Sequence, residues 1–453
     1  MLTTLKAALG TAPAARPDPR DGDPAAPAGA ADPEVAETVA RVIADVRAGG
    51  DEAVRRHSRR FDSWSPPSFR LGPGEVAAIV STVPETVLDD LRFVQRQVRD
   101  FARAQRESIV DFEVETLPGV VLGQRSIPVE ASGAYVPGGR YPLTASAHMT
   151  VLTAKVAGVD RVAATTPPLG DGPPPISVAA MHLAGADEIY VLGGVQAMAA
   201  LALGTETIDP VHLITGPGNA YVAEAKRQLF GEVGIDVFAG PTETLIVADG
   251  TADPLLIAVD LLSQAEHGPD SPAVLITTSA EVGRRVLAYV EELLPGLPTG
   301  PVAGAAWRDH GEVHVTADLD AAYALADTYA SEHVQILTAE PRAALERMRN
   351  YGALFLGDGT CVPYGDKVIG TNHVLPTRGA ARYTGGLWVG KFLKTVTYQE
   401  VRDPGSSAFL GEICGRMSRL ENFEGHARSG DLRAAMFGEH ALAWTDRAVG
   451  REG

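Results

Sequence analysis

"RVAATTPP" (161–168), "DEIYVLGG" (187–194) and "VHLITGPG" (211–218) share one pattern: a short apolar run that ends in Gly or Pro. Between them lie longer segments, "ISVAAMHLAG" (176–185) and "NAYVAEAKRQLF" (219–230), with helical spacing. An apolar run, a tight loop and a helix in regular succession predict parallel strands joined by crossover helices. The pattern extends to "SGAYVPGG" (132–139) before these runs and "IDVFAGP" (235–241) after them. It restarts with "TLIVAD" (244–249), "AVLITT" (273–278), "GEVHVT" (311–316), "EHVQILT" (332–338) and "ALFLG" (353–357).

The flanks read differently. Residues 11–33 are rich in Pro, Ala, Gly and Asp, so 1–33 is expected to be a flexible arm. Val35, Val39, Val42 and Val46 recur at helical spacing before Gly49-Gly50, and Val87, Leu91, Val94, Val98 and Phe101 define a second amphipathic helix. After residue 385 the strand pattern ends, and "FLGEICGRMSRLENFEGHARSGDLRAAMF" (409–437) reads as helical. The expected fold is α/β: two Rossmann-like parallel-sheet domains, an N-terminal helical region and a small helical C-terminal domain. The expected boundaries are 34–133 with 241–380 for one sheet domain, 134–240 for the other, and 381–453 for the helical domain.

Composition narrows the function. The 453 residues suit two to four domains at roughly 150 residues each. A net charge of −18 and the lack of a basic stripe argue against a nucleic-acid partner. The two cysteines, Cys361 and Cys414, form no CxxC pair, which fits a reducing cytoplasm. No apolar stretch approaches the ~18 residues of a membrane span, and the N-terminus lacks a signal-peptide core.

In open α/β sheets ligands bind beyond the carboxyl ends of the strands. The loops after each apolar run are therefore the first place to look for a site. None matches G-x-G-x-x-G, so the common dinucleotide fingerprint is absent. Groups able to do chemistry gather in the second half. In "DLLSQAEHGPDS" (260–271), Gln264 and His267 stand three apart and can face one way. By itself the pair is a weak signal, more often a polar helix end than part of a metal site. Glu332-His333 opens an apolar run, Asp366 lies in "VPYGDKVIGTNHVLP" (362–376), and Glu421 and His426 lie in the tail. Imidazole, carboxylate and amide oxygen around one point suit Zn²⁺.

Taken together, "IDVFAGPTETLIVAD", "DLLSQAEHGPDS", "ASEHVQI", "GTNHVLPT" and "GPGNAYVAEAKRQ" resemble the histidinol dehydrogenase family over residues 35–430. The resemblance implies an NAD-dependent, zinc-containing enzyme that oxidises a primary alcohol to a carboxylate in two hydride steps. It also implies a homodimer whose active site borrows the C-terminal region of the partner. Carried over by position, it gives Gln264, His267, Asp366 and His426 as metal ligands and Glu332 and His333 as the acid–base pair. Tyr135, Gln196 and Asn219 match NAD-contacting positions. Thr242 and Glu421 match substrate-contacting positions, and Gln264, His267, His333, Asp366 and His426 also face the substrate.

The segments "GGRYPLTASAHMTVLTAKVAG" (138–158), "GDGTCVPYGDK" (357–367) and "RYTGGLWVGKFLKTVTYQEV" (382–401) depart from the biosynthetic pattern. They resemble the sulfopropanediol dehydrogenase branch, which implies 2,3-dihydroxypropane-1-sulfonate as substrate and sulfolactate as product. A sulfonate needs cationic or N–H donors. Arg140 and His148 are the first candidates, with Lys367, Arg378, Arg382, Lys391 and Lys394 behind them. L-Histidinol is the alternative substrate. A non-catalytic NAD-binding regulator is a remote third reading, against which the Glu332-His333 pair argues.

Overall fold

The computed structural model describes residues 2–7, 33–138, 142–237, 240–439 and 442. Chain contacts divide the protein into two units: Met1–Arg106 with Val129–Phe392, and Glu107–Pro128 with Leu393–Gly453. In chain order the strands are β1 (Thr3–Lys6), β2 (Phe112–Leu117), β3 (Val120–Pro128), β4 (Ala131–Tyr135), β5 (Arg161–Thr166), β6 (Glu188–Val191) and β7 (Leu213–Thr215). They continue as β8 (Gly234–Ile235), β9 (Thr244–Ala248), β10 (Ala273–Thr277), β11 (Gly311–Val315), β12 (His333–Leu337), β13 (Ala353–Leu356) and β14 (Leu393–Val401). No described helix is long and apolar enough to cross a membrane.

The first unit contains two sheets. The five-stranded sheet runs β6-β5-β4-β7-β8, parallel throughout. The helix Pro33–Asp62 was expected to share layers with 241–380. It packs instead on the helices of the five-stranded sheet, where Val39, Val42 and Val46 join Met198, Leu201 and Val222 in one core. The Gly49-Gly50 pair does interrupt the helix: Gly50 is non-helical (φ 48°, ψ −135°), and a second helical stretch follows it to Asp62.

The six-stranded sheet runs β1-β11-β10-β9-β12-β13. Strands β9, β10 and β12 are buried at every residue, as expected for parallel strands covered on both faces. Leu245, Val247 and Ile336 feed one face of the core; Ile246, Leu275 and Val313 feed the other. Each such side chain contributes roughly 1.5–3 kcal/mol by leaving water. Within the arm assigned to 1–33, Thr3–Lys6 is ordered as β1, antiparallel on β11. Leu5 packs against the core beneath and Lys6 Nζ bonds the Gly311 carbonyl at 2.5 Å.

The second unit holds a three-stranded antiparallel sheet, β14-β3-β2, and two helices, Pro404–Leu420 and Glu424–Phe437. The sequence reading ended the strands at 385. However, "LKTVTYQEV" forms a nine-residue strand, β14, whose Tyr398 ring lies over Gly123 where any side chain would clash. Its exposed, mixed composition hides it from an apolar-run criterion, whereas its β-branched Thr395, Val396 and Thr397 favour the extended backbone. The two helices approach through glycine. A Cβ on Gly411 would sit 2.4 Å from the Gly430 carbonyl oxygen.

Candidate active site

The two parallel sheets meet a cavity of about 690 Å³ with opposite edges. From the five-stranded sheet come loops after strand ends, as expected. Pro217-Gly218-Asn219 follows β7 and lines the cavity. Asn219 Oδ1 accepts from the N–H groups of Tyr221 and Val222, capping the helix Ala220–Leu229. A buried ion pair holds this loop from behind. Lys226 Nζ contacts Asp236 and donates to the Gly216 carbonyl (2.9 Å), while the Gly216 N–H donates to Asp236 Oδ2 (2.7 Å). Gly216 has φ 119°, and a Cβ there would lie 2.2 Å from the Tyr135 carbonyl oxygen, so only glycine fits.

Tyr135 and Gln196 are buried beside the Gly193-Gly194 turn rather than among the cavity-lining residues. The Tyr135 hydroxyl accepts from the Gly194 N–H (3.3 Å), and burial pushes the phenol up to about 12. Gln196 Nε2 donates to Asp62 (2.9 Å), leaving its buried Oε1 without a partner.

From the six-stranded sheet the chemistry comes off the amino ends of the strands, opposite to expectation. Thr242 and Glu243 precede β9, and Glu332-His333 opens β12. The helix Pro254–Ala265 leaves the far end of β9 and returns, so Gln264 sits buried in its last turn and His267, just past its end, lines the cavity. A return helix thus transfers function from one sheet edge to the other, which strand periodicity does not reveal.

Glu332 Oε2 accepts from the Thr242 hydroxyl (2.8 Å) and the Glu243 N–H (3.1 Å). Burial raises its pKa. The His333 ring is fixed by Nδ1, 3.3 Å from the Glu243 carbonyl. A carbonyl only accepts, so Nδ1 carries a hydrogen. Nε2 lies 3.7 Å from Asp366 Oδ1, beyond hydrogen-bond range, and is otherwise unpartnered. Burial opposes charge on this ring, but the Glu332 and Asp366 carboxylates outweigh it and hold the imidazole up at about 8. Asp366 itself is lowered: burial works against ionisation, yet His333, His373 and Lys367 prevail.

Gln264 is buried with Oε1 unpartnered. His267 exposes surface to the cavity, but surrounding protein lowers its pKa and leaves a neutral lone pair at pH 7. With the ionised Asp366 these are an amide oxygen, an imidazole nitrogen and a carboxylate, a donor set that suits zinc. Among the described residues no three His, Cys, Asp or Glu side chains cluster closely enough to hold a metal alone. Glu266 points elsewhere, accepting from Thr299 Oγ1 at 2.6 Å.

Not every expected residue joins this cavity. His148 is buried, its Nδ1 accepting from Gln95 Nε2 (3.1 Å). Burial, with the neighbouring His373, depresses it to about 4, so it carries no charge at pH 7 to offer an anion. Arg140 lies outside the described residues. Arg382 bonds the Thr328 carbonyl. Lys367 and Arg378 are the two Lys/Arg side chains among the lining residues. Glu421 and His426 belong to the second unit, where Glu421 ends one helix and the His426 ring packs on Phe423 at 5.1 Å. The sequence reading missed His373, which lines the cavity with Nδ1 3.1 Å from the Asp366 carbonyl. It stands in the quoted "GTNHVLP", and its position three residues before Pro376 gave no separate signal. Glu243 was also missed. Burial, with Glu332 nearby, raises it to about 7.

Known proteins resemble this chain along most of its length. The histidinol dehydrogenase family model matches residues 27–434. A histidinol dehydrogenase homolog of Shouchella clausii is 57% identical over 406 residues, covering 90% of this chain and 96% of that one. The sulfopropanediol 3-dehydrogenase of Ruegeria pomeroyi is 46% identical over 407 residues, covering 89% and 93%. The crystal structure of histidinol dehydrogenase from Elizabethkingia anophelis superposes with a TM-score of 0.84 at 32% identity, covering 88% and 92%.

Proposed function

Because the chain belongs to the histidinol dehydrogenase family, NAD- and zinc-using oxidoreductases that act on CH–OH groups, we propose that it oxidises 2,3-dihydroxypropane-1-sulfonate to sulfolactate. The observation that carries the chemistry is the convergence of Glu332, His333, Asp366 and His267 on one cavity shared with the Asn219 loop. The substrate reading draws support from the relative named sulfopropanediol 3-dehydrogenase.

Bound zinc would polarise the alcohol oxygen, and NAD would accept the hydride. Gln264, His267 and Asp366 hold the metal side, and Asn219 with the buried Tyr135 and Gln196 supports the cofactor side. Above about pH 8, where its ring is neutral, His333 Nε2 takes the alcohol proton, its ring oriented by the Glu243 carbonyl. Glu332, held through Oε2 by Thr242 and Glu243, then removes a proton from water as it adds to the aldehyde. The resulting hydrate is oxidised in the second step. The enzyme acts as a homodimer, with the partner subunit's His426 and the partner subunit's Glu421 completing each site. Cytoplasmic location accords with the two unpaired cysteines.

Purified protein supplied with zinc, NAD and each alcohol in turn tests the reading. Turnover of the sulfonate to the acid with two NADH per alcohol is expected. Turnover of L-histidinol with none of the sulfonate would assign the alternative substrate.

A further inference from the structure

We propose that Arg378 is the specificity residue that receives the anionic end of the substrate, with Gly240 providing the space for its side chain. The inference rests on the substrate reading above and extends it to a residue that the family motifs do not assign. Arg378 lines the cavity, and three features of the backbone fix the turn that carries it. Arg378 has φ 54°, a left-handed conformation that an arginine rarely adopts. Gly379 follows at φ 72°, so the turn is left-handed over two residues. The Arg378 N–H donates to Glu243 Oε1 at 2.6 Å, which ties the turn to the carboxyl beside Glu332.

The side chain then lies along Gly240. A Cβ at 240 would stand 2.6 Å from Arg378 Nε, and the Gly240 N–H donates to Thr377 Oγ1 at 2.6 Å, so the two loops are locked together. The guanidinium has no hydrogen bond or ion pair among the described residues, although its charge is felt by Glu243. Arg378 is itself exposed, but an arginine that only faces solvent needs neither a strained backbone nor a cleared neighbour. Strain of this kind persists where the surroundings enforce it, most often at functional positions. The other cavity cation, Lys367, is a point charge adjoining Asp366. Arg378 alone offers the planar fork that matches a sulfonate or carboxylate. Two of the cavity acids have other engagements: Glu224 binds Arg227, and Glu332 is held by Thr242.

An anion at Arg378 could come from the substrate or from the cofactor phosphates, and kinetics separates them. In Arg378→Gln, the KM for the sulfonate alcohol should rise roughly 30- to 100-fold, the worth of a charge-assisted hydrogen bond, with kcat and the KM for NAD little changed. Activity on a neutral diol such as propane-1,2-diol should hold. Arg378→Lys should recover part of the loss, and Gly240→Ala should raise the same KM by displacing the side chain. A rise confined to the KM for NAD, or an equal loss on the neutral diol, would overturn the assignment. Inhibition by propane-1-sulfonate keeps the two questions apart, with whichever alcohol the enzyme oxidises as the reporter. If wild type fails to oxidise the sulfonate alcohol, the substrate reading fails. The Arg378 site still stands if propane-1-sulfonate inhibits wild type and Arg378→Gln weakens that inhibition, and it falls if Ki is unchanged.

Discussion

The two parallel sheets of the first unit approach the same cavity and bring unlike materials to it. The five-stranded sheet offers backbone: glycine turns, a helix start capped by Asn219, and a buried Lys226–Asp236 pair behind the loop. The six-stranded sheet offers ionisable side chains: Glu332, His333, Asp366 and His267. The first arrangement suits a large, constant ligand that is gripped by shape and N–H groups. The second suits proton transfer and metal binding, where charge must be placed. The lesson is that sheet edge and chemistry are coupled. The six-stranded sheet works from its strand starts, because a helix returning from β9 can deliver a whole turn of ligands there.

That division can be broken most severely on the reactive side. His267→Ala should lose the bound zinc and with it nearly all activity, whereas Glu266→Gln, whose carboxylate is engaged by Thr299, should retain zinc; metal analysis of both proteins decides. Glu332→Gln comes next. General acid–base groups contribute about 10²–10⁴ in rate, and this loss should fall on the second oxidation, so aldehyde trapped with a hydrazine should rise relative to acid. An unchanged aldehyde-to-acid ratio would remove Glu332 from water activation.

On the backbone side the damage should be to stability rather than to chemistry. Asp236→Asn leaves Lys226 buried against a neutral amide and should cost roughly 3–5 kcal/mol, read by denaturant unfolding. The smallest effect concerns the helical layer over that sheet, at His148. Its folded pKa, about 4, lies below the ordinary 6.5, so the folded state resists a proton that the unfolded chain accepts. Its contribution is therefore complete above pH 6.5 and declines as pH falls toward 4, by about 3 kcal/mol in total. His148→Gln should flatten the stability curve across that window.

How legible this was depended on the kind of signal. Apolar runs located four of the five strands of the five-stranded sheet and five of the six in its neighbour, because burial on both faces leaves a continuous hydrophobic stretch; the two-residue, half-buried β8 meets its run only at Ile235. Strands β1, β2, β3 and β14 escaped: β1, β2 and β14 are mostly solvent-facing, and β3 mixes apolar with polar residues. Site residues were legible as motifs, but their grouping was not. Spacing could pair Gln264 with His267, yet only the fold brings Thr242 to Glu332, ninety residues away. The anion contacts were the least legible. His148 and Arg378 look alike as candidate donors in sequence, and burial neutralises one while an unusual backbone turn presents the other.

Strand β1 carries one more consequence. It is the antiparallel strand that closes the β11 side of an otherwise parallel sheet, with Lys6 also resting on the Trp307 ring at 5.1 Å. Remove it and β11 would show a row of unsatisfied amides and carbonyls, a template for any extended chain. The short N-terminal strand is then a guard against self-association. Trimming or tagging the start of this protein should govern how well it stays dispersed at high concentration, while leaving the cavity untouched.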